Sequence, residues 1–261
     1  MEFSLAGRVA VVTGGTRGIG RAIAETFAEH GAKVVMNGRS DVKGKQAIEE
    51  IGRPDDTFFI AGDVSSKADM EALVDGTVQH FGRLDILVNN AGGVTGHGLV
   101  RNMTDEAWLG TIDLNLNSAF YTTRRALNYF EPQRSGRIIN IASVEGKQAN
   151  KAAVSNYITT KAAMIGFSRA VAFEYGALGI TCNAIAPGAI ETDIMRDSGP
   201  MAAEAAGISY EQFLQNYADE SMIKRLNLVD EVAAMALLLA SDHGGGITGA
   251  VLSVDGGSSP Y

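Results

Sequence analysis

Seven short apolar runs, each parted from the next by a helical pattern, limit what this chain can fold into. Arg8–Thr13, Lys33–Asn37, Thr57–Ala61, Leu84–Asn89, Arg137–Ile141, Ile180–Ile185 and Ala250–Val254 all read as strands. Most are apolar at neighbouring positions as well as alternate ones, the pattern of strands buried on both faces. Between them lie helical patterns. Gly18–Glu29 carries Ile19, Ile23 and Phe27 at spacing four and is closed by Gly31. Asp41–Ile51, Lys67–Phe81 and Asp230–Ser241 follow the same logic, and two long helices are predicted within Asp105–Phe130 and Asn150–Tyr175. Strand–helix alternation with right-handed crossovers gives a doubly wound α/β parallel sheet of about seven strands, Rossmann-type, with helices on both faces.

No linker, repeat or low-complexity tract divides the sequence, so residues 1–261 are expected to form a single domain. Residues 189–225 break the rhythm. They are too long for an ordinary connection and hold Met195, Ile208, Phe213, Leu214 and Met222, which predicts a helical substrate lid.

Composition excludes several functions. Apolar residues make up 46% and charged residues 20%, enough for a packed core. Thirty acids against 22 lysines and arginines leave a net charge of −8, against a sequence-independent nucleic-acid footprint. Cys182 is the single cysteine, so neither an intrachain disulfide nor a Cys-rich metal centre is available. His30, His80, His97 and His243 stand apart, and no metal site is expected. The first eight residues lack a signal-peptide pattern, and the longest apolar run, Val232–Ala240, is about half of a membrane span. A cytoplasmic protein without a membrane partner is the expectation.

Thr13-Gly14-Gly15-Thr16-Arg17-Gly18-Ile19-Gly20 joins the first strand to the first helix. Glycines there let the backbone approach a pyrophosphate, and the helix N-terminus offers free N–H groups and a positive dipole. An acidic residue ending strand two would take the adenosine ribose. Here Met36-Asn37-Gly38-Arg39 has none. Arg39 and Arg17 instead suit a 2′-phosphate through bidentate hydrogen bonds, so NADP(H) is favoured, with NAD(H) as the alternative. Asp63, beside Val64, suits either the adenine amino group or an N-cap near the next helix.

Tyr157 and Lys161 stand at i and i+4, on one face of a helix. A nearby cation favours the phenolate and brings a phenol toward the acid–base range. Ser143 lies just past a strand's carboxyl end, where ligands bind in such sheets. It does not sit in the nucleophile elbow that a hydrolase needs.

Taken in order, these motifs resemble the short-chain dehydrogenase/reductase family over essentially the whole length. The matching stretches are Thr13–Gly20, Asp63-Val64, Asn89-Asn90-Ala91-Gly92, Asn115, Ser143, Tyr157-x3-Lys161, Pro187-Gly188-x-Ile190-x-Thr192 and Val254-Asp255-Gly256-Gly257. The resemblance implies that Tyr157 is the general acid/base and that Ser143 orients the substrate oxygen. Lys161 would lower the tyrosine pKa and bind the nicotinamide ribose, and Asn115 would hold a water in a proton relay. Gly14, Thr16, Arg17, Gly18, Ile19, Gly20, Arg39, Asp63, Val64, Asn90, Ala91 and Gly92 would line the cofactor. Pro187, Gly188, Ile190 and Thr192 would flank the nicotinamide.

Two features bear on the substrate. The interval from Ser143 to Tyr157 is fourteen positions, one more than in many family members, which alters the pocket wall within Val144–Asn156. Gly146-Lys147-Gln148 is similar to polyketide ketoreductases. The resulting expectation is hydride transfer between NADP(H) and a ketone or secondary alcohol, in the manner of 3-oxoacyl carrier-protein reductases, on a small-molecule or acyl-thioester substrate. The alternatives are an NAD-dependent alcohol, polyol or hydroxysteroid dehydrogenase, and a non-catalytic cofactor-sensing protein. The complete set Asn115, Ser143, Tyr157 and Lys161 favours an enzyme. Net charge disfavours an acidic carrier-protein partner, although Arg124, Arg125 and Arg134 form a local basic patch. Ala119, Phe120, Ala163, Phe167, Ala170 and Val171 make the two long helices too apolar for one sheet face, which predicts a homotetramer.

Overall fold

A computed structural model describes residues 3–259. Seven strands form one parallel sheet in the order β3-β2-β1-β4-β5-β6-β7. These are β1 (Val9–Val12), β2 (Lys33–Gly38), β3 (Thr57–Ala61), β4 (Ile86–Asn89), β5 (Gly136–Ile141), β6 (Ile180–Pro187) and β7 (Val251–Val254). The chain winds outward from β1 to β3, then returns to the other side of β1 for β4. Such a reversal opens a crevice at the carboxyl ends of β1 and β4, where ligands bind in doubly wound sheets.

The register explains why the strands are apolar on both faces. Val11 pairs with Val35 and Leu87, Leu87 with Ile138, and Ile138 with Cys182, making one row across the sheet. That row packs with Met70, Leu73, Phe130 and Val171 from α3 (Lys67–Phe81), α5 (Ser118–Gln133) and α6 (Ser155–Tyr175). The next row, Met36, Val12, Val88 and Ile139, points the opposite way. It packs with Ile23, Phe27, Val232 and Leu237 from α1 (Gly18–Glu29) and α9 (Val229–Ala240), with Ala47 of α2 (Asp41–Ile51) beside them. A side-chain period of two on fully covered strands therefore feeds two separate cores.

Several predicted boundaries move. The helix expected within Asp105–Phe130 is α4 (Asp105–Ile112), a π-turn over Asp113–Asn117, and then α5, which runs past Phe130 to Gln133. Asn115 explains the wide turn: its Nδ2 donates to Thr111 O and Gly93 O, and its Oδ1 accepts from Gly93 N. The second long helix starts at Ser155. The interval from Ser143 to Tyr157 is spanned by the 3-10 turn over Val144–Gly146 and the loop ahead of this helix. There Ala153 takes φ 62, a left-handed value unusual for alanine, and its carbonyl accepts from Gly98 N at 2.9 Å. Residues 189–225 hold two helices, α7 (Asp193–Ala205) and α8 (Tyr210–Glu220). No helix among the described residues is long and apolar enough to cross a membrane.

Candidate active site

Asn90 ties the glycine loop to the end of β4. Its Nδ2 donates to Thr13 O (2.9 Å) and Gly14 O (3.1 Å), while Asn90 N and Ala91 N both donate to Thr13 Oγ1. This clamp explains the glycines. A Cβ on Gly20 would stand 2.3 Å from Asn90 Nδ2 and 2.4 Å from Gly14 O. Gly14 itself has φ 62 and lies against Ala91. Ile19 packs beside the α1 core, and Thr16 sits over Gly38.

The amino end of α1 already receives an anion. Asp193 Oδ2, from the first turn of α7, accepts from Gly18 N at 3.0 Å. A carboxylate on that N–H demonstrates the anion affinity expected of a free helix N-terminus. Arg17 lies 3.4 Å from Asp197 of the same helix, with both side chains at least half exposed. Arg39 is exposed and has no ion pair or side-chain hydrogen bond among the described residues. Asn37 is fully buried, and its amide donates to Ile60 O and Gly62 O. Asp63 is exposed and accepts from Ser65 N; the N-cap of α3 is Ser66, so the capping alternative for Asp63 does not hold. Val64 is buried beside it.

Ser143 caps a 3-10 turn over Val144–Gly146, its Oγ accepting from Glu145 N. Tyr157 and Lys161 follow on α6, with Lys161 Nζ 5.5 Å from the Tyr157 ring centroid. Lys161 is buried and donates to Ile141 O, at the end of β5, at 2.7 Å. Gly92 makes room for this: a Cβ there would stand 2.6 Å from Asn115 Oδ1 and 3.1 Å from Lys161 Nζ. Burial lowers the Lys161 pKa to about 8. Burial also raises the Tyr157 phenol, the Ser143 hydroxyl works against the rise, and the Glu145 carboxylate adds to it. Beneath the site, Asn89 Nδ2 donates to Asn140 Oδ1 and Thr123 Oγ1, and Asn140 Nδ2 to Ser168 Oγ. This satisfied buried network holds the ends of β4 and β5 in place.

Ser143 and Tyr157 share the wall of a cavity of about 410 Å³. Gly188 lines it too, at a point where a Cβ would stand 2.8 Å from Asp255 Cα. Pro187 ends β6, and Ile190 is buried and bridged to Asn227. Thr192 is the N-cap of α7, within 3.7 Å of the position a Gly18 Cβ would take. His97 reaches the cavity edge. Glu145 and Gln148 line it within the Val144–Asn156 wall expected from sequence, while Tyr217, Asn227 and Asp255 line it too, though none of these three stood out as a pocket residue. Tyr217 left a local signal, an aromatic stripe with Tyr210 and Phe213 along α8. Among the described residues, no cluster of three or more His, Cys, Asp or Glu side chains is placed to hold a metal.

These features define a doubly wound α/β protein with a glycine-loop anion site next to a cavity walled by Ser143 and Tyr157, with Lys161 behind the tyrosine ring. The family model described as Enoyl-(Acyl carrier protein) reductase matches residues 14–259. The chain is 38% identical to 3beta-hydroxysteroid dehydrogenase 2 of Eggerthella lenta, covering 98% of this chain and 96% of the relative. It is 39% identical to the 3-oxoacyl-[acyl-carrier-protein] reductase of Escherichia coli, covering 96% and 97%. A variant of the actinorhodin polyketide ketoreductase, crystallised with NADPH, superposes with a TM-score of 0.92 at 32% identity over 100% of this chain and 99% of that one. The chain belongs to the short-chain dehydrogenase/reductase family, a family of oxidoreductases.

Proposed function

We propose that this protein transfers hydride between NADP(H) and a ketone or secondary alcohol. The carrying observation is that Ser143 and Tyr157 share a cavity wall, with Lys161 anchored behind the tyrosine ring. The relatives support the reading: one is named a 3-oxoacyl reductase, one a hydroxysteroid dehydrogenase, and the structural neighbour holds NADPH.

The glycine cradle and the N-terminus of α1 fit a pyrophosphate, and Arg39 with Arg17 fits an adenosine 2′-phosphate. Thr16, Ile19, Asp63, Val64, Asn90, Ala91 and Gly92 would line the adenosine and central part of the cofactor. Pro187, Gly188, Ile190 and Thr192 would flank its nicotinamide. NADP(H), when bound, supplies or accepts the hydride. Tyr157 donates its phenolic proton to the carbonyl oxygen during reduction, and Ser143 hydrogen-bonds the same oxygen. A phenol whose pKa is raised by burial is protonated at neutral pH, which suits the reducing direction. Lys161 returns a proton to Tyr157, and Asn115 fixes the Gly93 backbone beside that path.

Residues 189–225 act as the lid of a single-domain enzyme. Assembly as a homotetramer accounts for the exposure of Phe173 and Phe120 on α6 and α5, at 93% and 40%. The basic patch does not favour an acidic carrier protein: Arg124 pairs with Glu71, Arg125 with Asp75, and Arg134 donates to Ala177 O. The test is nicotinamide absorbance on mixing protein, NADPH and a panel of ketones, with NADH in parallel. Turnover supports the reading, and none with either cofactor rejects it.

A further inference from the structure

Helix α6 starts without a side-chain cap: Val154 stands at its N-cap position and offers no acceptor. The first N–H groups of a helix have no partner within it, so such an end frays unless other groups take them. Tyr157 lies in this first turn. Lys161, one turn on, is held separately by its own burial and by the Ile141 carbonyl at 2.7 Å.

Asn156 supplies the missing hold. It is fully buried, and its Oδ1 accepts from Tyr157 N at 2.9 Å. Its Nδ2 donates to Thr111 Oγ1 on α4 at 2.9 Å and to the carbonyls of Gly96 and Ala107, both at 3.1 Å. Thr111 is fully buried too. Its hydroxyl donates to Ala107 O and lies 2.9 Å from Thr95 Oγ1, and its carbonyl accepts from Asn115 Nδ2. Asn115 in turn holds both polar groups of the Gly93 backbone. The strip 93–96 is thus fastened at one end by Asn115 and at the other by Asn156, with Thr111 shared between them. The packing is close: a Cβ on Gly96 would stand 2.7 Å from Ala107 Cβ, and one on Gly110 3.0 Å from Thr95 Oγ1. Val94, on this strip, and His97, just past it, line the cavity.

We propose that Asn156 is a positioning residue for the proton transfer. By pinning the first turn of α6 to Thr111, it sets where the Tyr157 phenol stands relative to Lys161, which is anchored independently, and to Ser143 on the cavity wall. The inference rests on the reading of Tyr157 as the acid–base group. Both polar atoms of Asn156 are partnered, and in a closed buried network each bond braces the others. Removing the amide leaves Tyr157 N, Gly96 O and Ala107 O to find new partners, so the turn that carries the phenol shifts. A displacement of about 1 Å at a reacting group costs about a hundredfold in rate. Lys161 and the glycine loop keep their own bonds, so cofactor binding does not follow.

The test uses Asn156→Ala, Thr111→Val, the double variant, and Asn183→Ala as a control. Asn183 is as deeply buried, on β6, where its side chain joins Ile247 O to Ala250 N. One readout is kcat and KM with NADPH and whichever ketone of the panel turns over fastest, beside the NADPH Kd from fluorescence. The other is NMR of 13Cζ-labelled tyrosine, in which Tyr157→Phe identifies the Tyr157 signal among the seven tyrosines. Asn156→Ala should lower kcat by about ten- to a hundredfold, and should shift or split the Tyr157 signal alone. Its NADPH Kd should change by less than about twofold. Thr111→Val, 45 positions from Asn156, should act the same way to a smaller degree, and the double variant should be no worse than Asn156→Ala. Thr111→Ser should restore most of the loss. Asn183→Ala should lower the melting temperature and leave kcat and the Tyr157 signal in place. If Asn156→Ala fails to fold, Thr111→Val decides. An unchanged kcat or an unmoved Tyr157 signal in the folded variant overturns the inference while turnover by the unmodified protein upholds the reductase. A kcat loss that Asn183→Ala reproduces does the same. A displaced Tyr157 signal, without turnover of any ketone by the unmodified protein, upholds the placing of the phenol by Asn156 while the reductase reading falls. Neither turnover nor a displaced signal overturns both.

Discussion

The choice between NADPH and NADH rests on two arginines in different surroundings. Arg39 is exposed with no side-chain partner to give up, so its full interaction with a 2′-phosphate counts toward binding. A hydrogen bond to a charged group contributes about 1.5–3 kcal/mol, so Arg39→Ala should lower kcat/KM for NADPH by about ten- to a hundredfold. Arg17 first leaves Asp197, at 3.4 Å, in an exposed pair worth about 0–1 kcal/mol. Arg17→Ala should therefore cost less than Arg39→Ala, and Asp197→Ala should improve NADPH use by up to about fivefold. Both arginine changes should leave NADH nearly untouched. The double change Gly38→Asp with Arg39→Leu should reverse the preference. A Cβ at position 38 would stand 3.2 Å from Thr16 Cγ2, so Thr16 must yield by a few tenths of an ångström. The rival account is an NAD enzyme in which Asn37 or the backbone near Gly38 holds the ribose; its Asn37 form conflicts with the burial of Asn37 and its bonds to Ile60 O and Gly62 O. Steady-state kcat/KM for both cofactors is the assay. An NADH value equal to or above the NADPH value in the unmodified protein would refute the reasoning.

Four further outcomes are expected. Tyr157→Phe should abolish turnover and leave cofactor binding, followed by fluorescence, nearly intact; more than a few percent of kcat would contradict the acid–base assignment. Glu145→Gln should move the alkaline limb of the kcat profile for reduction to lower pH. The Glu145 charge raises the phenol pKa, so removing it lets Tyr157 lose its proton sooner, and an unmoved or upward-shifted limb would contradict this. Gly20→Ala should destabilise the fold by about 1–3 kcal/mol and weaken cofactor binding, because the methyl group displaces the Asn90 clamp; an unchanged melting temperature would count against that. Hydrogen exchange should show residues 189–225 less protected than the strands until NADPH and substrate are added, and equal protection throughout would argue against a lid.

Much of this protein could be read from its sequence because the signals are local. An apolar run of five residues, a glycine after a strand, or a tyrosine four residues before a lysine each declares itself within one element. The bounds of α1, α2, β3 and α3 coincide with those predicted for the same reason. What stayed hidden depends on the approach of distant segments. The π-turn at Asn115 follows from its bonds to Gly93, across 22 residues. The carboxylate on Gly18 N–H comes from Asp193, 175 residues away. Glu145 reads in sequence as an ordinary charged loop residue. Only the packing of its turn on α6, and the pairing of Lys151 with Glu220 on α8, leave it buried with an oxygen unpaired. Hydrophobic periodicity determines which elements form and in what order, because it acts along the chain. Which polar atoms remain unpaired in the finished cavity is decided by tertiary structure, because desolvation and hydrogen bonding depend on neighbours that sequence spacing does not specify.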